Sequence, residues 1–67
     1  MKQLDLVRVR EVCKNDYRGV LPVDENFVFM GDIRQMPGHG VFIVFRTNKV
    51  YVGYHTSSFE VVPRNEV

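Results

Sequence analysis

In the stretch VFIVFRTNKVYVGYHT, residues 41–56, two apolar runs flank a short polar turn. Valine, isoleucine, phenylalanine and tyrosine suit a pleated, half-buried strand, and Asn48 tolerates the left-handed backbone that a tight turn requires. The stretch predicts a hairpin with strands at 41–46 and 50–56 around Thr47-Asn48-Lys49. A three-residue loop sets Arg46 opposite Val50, Val44 opposite Val52 and Phe42 opposite Tyr54, and this face is expected to point inward. The other face pairs Phe45 with Tyr51, Ile43 with Gly53 and Val41 with His55. An antiparallel sheet usually keeps one face apolar and one wet, yet both faces here are apolar.

Two coverings suit the second face. One is the chain's own long loop, through Tyr17, Leu21 and Val23. The other is a protein partner, either a second copy of the chain in a homodimer or a larger machine. The candidate protein-binding residues are therefore Val41, Ile43, Phe45, Tyr51 and His55.

Outward from the hairpin, residues 4–12 (LDLVRVREV) alternate around Val7 and Val9, with Arg8 and Arg10 on the wet side, the period of a half-buried strand. Residues 14–26 are rich in turn formers and predict a polar connection with no regular element. Residues 27–36 predict a second strand, in which Gly31 marks a bulge or sharp bend. Met36-Pro37-Gly38-His39 fits a type II turn, with proline at its second position and glycine at its third. Gly40 then suits a bulge. Ser57-Ser58-Phe59 predicts one helical turn, residues 60–62 a last strand ended by Pro63, and residues 64–67 a frayed tail.

With 67 residues the chain is one domain at most, here residues 1–63, and a chain so short buries only about 60% of its unfolded surface. Self-association is then a route to added stability. Cys13 is the single cysteine, which fits a reducing, cytoplasmic setting. No apolar run approaches the length that spans a bilayer, so no membrane partner is expected.

Nine basic residues face eight acidic ones, a balance less lopsided than most nucleic-acid binders show. A local basic flank of Arg8, Arg10, Arg34, Arg46 and Lys49, with Phe45 and Tyr51 as stacking groups, is the alternative reading, for RNA or single-stranded DNA. Enzymatic chemistry would have to come from His39, His55, Asp32, Cys13, Ser57 and Ser58, whose spacing assembles no nucleophile, base and orienting group. No catalytic residue and no cofactor is expected. His39 and His55 lack a third ligand by spacing, so no metal site is expected either. Gly38-His39-Gly40 reads as turn geometry rather than as an anion-binding nest.

Five short strands, a long first loop, a tight hairpin and a helical turn before the last strand describe an all-β, five-stranded barrel. LDLVRVRE at the start and YHTSSFEVVP at the end resemble the first and closing strands of the SH3-like superfamily, which includes a small photosystem barrel protein of the E type, the ferredoxin-thioredoxin reductase variable chain and KOW-type translation proteins. The resemblance implies the fold alone, a small SH3-like barrel, since likeness at this level does not carry function across the superfamily. The apolar hairpin face and the scattered polar residues point to a non-enzymatic binding module. A stand-alone barrel of this size also suits a phage- or plasmid-encoded accessory protein acting on a host factor.

Overall fold

In the computed structural model, which describes residues 1–63 and Asn65, the strands are β1 (Leu6–Val9), β2 (Asn26–Ile33), β3 (Met36–Val44), β4 (Val50–His55) and β5 (Phe59–Val61). They form one antiparallel sheet in the order β4-β3-β2-β1-β5. A single helical turn, α1 (Lys14–Tyr17), follows a 3-10 turn at Glu11–Cys13, and a second 3-10 turn at Thr56–Ser58 precedes β5. The all-β class is as expected. The barrel is not closed, because β4 and β5 stand at opposite edges of the sheet. The tail expected at 64–67 lies, Asn65 apart, outside the described residues.

Alternation builds the core. Val7 and Val9 of β1, Phe27 and Phe29 of β2, Phe42 and Val44 of β3 and Phe59 of β5 are all buried. The sheet curls until Phe42 stacks on Phe59, with ring centroids 3.9 Å apart and planes within 11°. Leu21 and Val23, from the connection between β1 and β2, close the open side of this cluster, and Tyr17, Tyr51 and Tyr54 pack against it. The hydroxyl of Tyr17 meets Ser58 Oγ at 2.9 Å, tying that connection to the turn before β5.

Several local expectations change. The first strand ends at Val9, not at residue 12, because the backbone curls into the Glu11–Cys13 turn, closed by Cys13 N donating to the Arg10 carbonyl at 2.8 Å. The connection at 14–26 holds α1 where no regular element was predicted. The reversal between β2 and β3 lies at Arg34-Gln35, since Ile33 and Met36 already pair. Met36-Pro37-Gly38-His39 is thus the start of β3 and not the corner.

Three glycines set the register. Gly31, Gly38 and Gly53 have φ of +114°, +81° and +88°, values that suit glycine because it has no Cβ. Each sits at a break in strand pairing. Phe29 pairs with Phe42 but Asp32 with Gly40, so β2 carries an extra residue around Gly31, the bulge expected there. Asp32 pairs with Gly40 but Ile33 with Met36, so β3 bulges around Gly38. Gly40 pairs with Tyr54 but Val41 with Val52, which leaves Gly53 unpaired on β4.

Candidate protein-binding face

The Gly53 bulge and the hairpin loop decide which side chains share the outer face. Asn48 N donates to the Val44 carbonyl and Val44 N to that of Lys49, both at 2.8 Å. The loop is therefore residues 45–48, with Asn48 at φ +62°, and not Thr47-Asn48-Lys49. Ile43 pairs with Val50, Val41 with Val52 and Phe42 with Tyr51, in place of the expected partners Gly53, His55 and Tyr54. Directly opposed residues of antiparallel strands project to the same face. Tyr51 consequently turns inward beside Phe42 and packs against the core, while Val50 and Val52 turn outward. The expected Phe45–Tyr51 pair does not form.

The resulting outer face has ordered rows. Leu6 pairs with Val28, Val28 with Ile43 and Ile43 with Val50, an apolar row crossing four strands. Val41 and Val52 form a second row beside it. On the other side, Phe45 N donates to the Asn26 carbonyl at 2.9 Å, and Asn26 pairs with Arg8, which pairs with Glu60. His39 and His55 oppose each other beyond Val41 and Val52.

Of the residues expected on this face, Val41, Ile43, Phe45 and His55 are on it, and Tyr51 is not. Leu6, Val28, Val50 and Val52 belong to it and were missed. Gly53 inside an apolar run was the available signal, since a strand glycine often marks a bulge.

The three loop residues expected to cover this face pack inward instead. Leu21 and Val23 are spent on the inner cluster and Tyr17 packs there too, edge-on to Tyr54 at 5.7 Å. Phe45, Val50 and Val52 remain 63%, 53% and 61% exposed. Isolated exposed apolar residues are ordinary; these adjoin the half-buried Val41 and Ile43 on one face.

Charges near this patch are largely neutralised in pairs. Arg8 Nε meets Glu60 Oε2 at 2.7 Å, and the Arg46 guanidinium meets Glu25 at 2.6 Å. Lys14 Nζ reaches Glu11 and Asp24, each at 3.1 Å. The hydrogen bonds to Glu11 and then to Asp24 raise the Lys14 pKa above the ordinary lysine value.

The five basic residues do not share one flank. Arg34 lies in the turn before β3 and Lys49 just before β4, at opposite ends of β3. At about 3.3 Å per strand residue, these ends are far apart. Arg10 reaches the Ser57 carbonyl at 3.4 Å.

The polar residues weighed for chemistry are also dispersed. Ser58 is buried on Tyr17, Cys13 is half-buried against the core, and Asp32 is exposed on β2. Only His39 and His55 among them are brought together. No family model matches the chain, and comparisons with curated proteins and with solved structures return no significant match.

Proposed function

We propose that this chain is a non-enzymatic binding module that engages a protein partner through its outer face, with Ile43 at the centre and a second copy of the chain as the partner. The observation that carries this reading is the apolar row Leu6, Val28, Ile43 and Val50, half-buried at its first three members and exposed at Val50, with the exposed Val52 and Phe45 beside it. A second copy suits it because the surface is apolar at its centre and its nearby charges, Arg8 with Glu60 and Arg46 with Glu25, are already balanced. A two-fold contact requires such self-complementarity. The chain is also short enough for association to add usefully to its stability.

The SH3-like barrel is the fold family we favour. The meander order β4-β3-β2-β1-β5, the long first connection and the 3-10 turn before β5 support it. No helix is long and apolar enough to cross a membrane among the described residues, and the single cysteine supports a cytoplasmic setting.

Sedimentation equilibrium over a range of concentrations tests the proposal. The natural chain is expected to approach twice its monomer mass, and Ile43→Asp to remain monomeric with an unchanged far-UV spectrum. A natural chain that stays monomeric throughout rejects self-association. Nucleic-acid binding that weakens steeply with salt and is lost on replacing Arg8 and Arg46 favours the alternative reading.

A further inference from the structure

The chain has two histidines, and the fold makes them direct cross-strand partners. His39 of β3 pairs with His55 of β4. Their ring centroids lie 4.1 Å apart with the planes tilted by 49°. The four-residue hairpin loop and the unpaired Gly53 produce this meeting. Without them Val41, not His39, stands opposite His55. Both rings are open to solvent, His39 partly and His55 more fully.

The backbone around them is braced. His39 Nδ1 lies 3.3 Å from the Pro37 carbonyl. A proton on Nδ1 donated to that carbonyl leaves the lone pair on Nε2, the arrangement by which proteins orient metal-binding histidines. A Cβ on Gly38 would lie 3.8 Å from His55 Cε1, so the bulge around Gly38 backs the His55 ring. Thr56 Oγ1 donates to the Gly38 carbonyl at 3.2 Å, fastening that bulge to the end of β4.

We propose that His39 and His55 form a two-histidine chelate for a borderline divalent transition-metal ion, of the kind imidazole favours: Cu²⁺, Ni²⁺ or Zn²⁺. With metal–nitrogen bonds of about 2.0–2.1 Å, two imidazole centroids on one ion stand roughly 4.5–5 Å apart. Rotation of the exposed His55 ring, with His39 kept on the Pro37 carbonyl, opens the present spacing to that value. No group of three histidine, cysteine, aspartate or glutamate side chains suited to a metal occurs among the described residues. The remaining coordination positions therefore fall to water or to an incoming ligand. By the general order of divalent affinities, Cu²⁺ binds most tightly, ahead of Ni²⁺ and Zn²⁺.

Tag-free protein titrated with CuCl₂, NiCl₂ or ZnCl₂ in a non-chelating buffer, followed by calorimetry, gives the test, with ¹H–¹⁵N spectra recorded for the Zn²⁺ titration. Saturable binding of one ion per chain is expected, with Cu²⁺ tightest and Zn²⁺ shifting signals at residues 38–40 and 54–56. His39→Gln and His55→Gln should each weaken binding at least tenfold while leaving the far-UV spectrum unchanged. Cys13→Ser should have no effect. Absence of saturable binding, binding that survives either histidine substitution undiminished, or binding lost in Cys13→Ser overturns the proposal.

Discussion

Phe42 and Phe59 stack face to face at 3.9 Å, although two strands separate β3 from β5 in the sheet. This contact is made across the curl rather than along it, and Phe27 braces it edge-on to both rings, at 6.4 Å from Phe42 and 5.5 Å from Phe59. A sheet with unpaired edges keeps its curvature only if its inner faces meet, and these rings are where they meet.

Phe42→Ala should therefore cost more than loss of an aromatic ring at the rim. Truncating a buried phenylalanine typically costs about 3–5 kcal/mol, a large part of the stability available to so short a chain. The expected outcome in urea is a midpoint near zero, with Phe45→Ala, at the exposed loop, close to the natural chain.

Gly40 is fixed by space, not by φ. A Cβ there would lie 2.6 Å from Phe29 Cε1 and 3.2 Å from the Gly31 carbonyl, and Phe29 is itself buried. Gly40→Ala should destabilise by about 1–3 kcal/mol through overpacking. Pairing it with Phe29→Leu should recover part of that loss, measured as a coupling in a double-mutant cycle.

The Tyr17–Ser58 hydrogen bond holds the β1–β2 connection over the core. Tyr17→Phe keeps the ring on Tyr54 but leaves the buried Ser58 hydroxyl without this partner, at an expected cost of about 1–3 kcal/mol. Hydrogen exchange should quicken at residues 20 and 21, whose amides bond the Tyr17 carbonyl. Uniform quickening through β2 and β3 would contradict a local role.

Lys14 supplies a pH prediction. Glu11, and then Asp24, hold its pKa above the ordinary value of 10.5, so the folded chain binds this proton more tightly than the unfolded one. The contribution is fully present below the unfolded value and is lost as pH rises through the higher folded value. The effect is small because the group faces solvent. Lys14→Met should show a flatter fall in urea midpoint than the natural chain as pH rises above 10.5, with matching curves below it, and parallel curves throughout would reject the link.

Strand identity was legible wherever alternation was clean. Val7 and Val9, the aromatic run from Phe27 and the apolar run from Val41 all became strands, and Gly31 became the bulge its position suggested. Partner identity was not legible. One residue of loop length moves every cross-strand pair, and one unpaired glycine reverses which side chains share a face. Tyr51 and Tyr54 both face inward only because Gly53 lies between them, and that same glycine carries Val52 outward and sets His55 against His39. Short-range turn preference also misled at Pro37-Gly38, where tertiary pairing of Ile33 with Met36 completes the reversal first.

The unequal quality of edges and face has a consequence for how molecules of this chain accumulate. Growth by adding strands to edges has no natural end and leads to fibres. Here β5 offers three residues and β4 is broken at Gly53, so both edges are poor templates. In the proposed dimer the outer face is consumed once two copies meet on it, so under that proposal crowding is expected to give small particles of fixed size rather than threads.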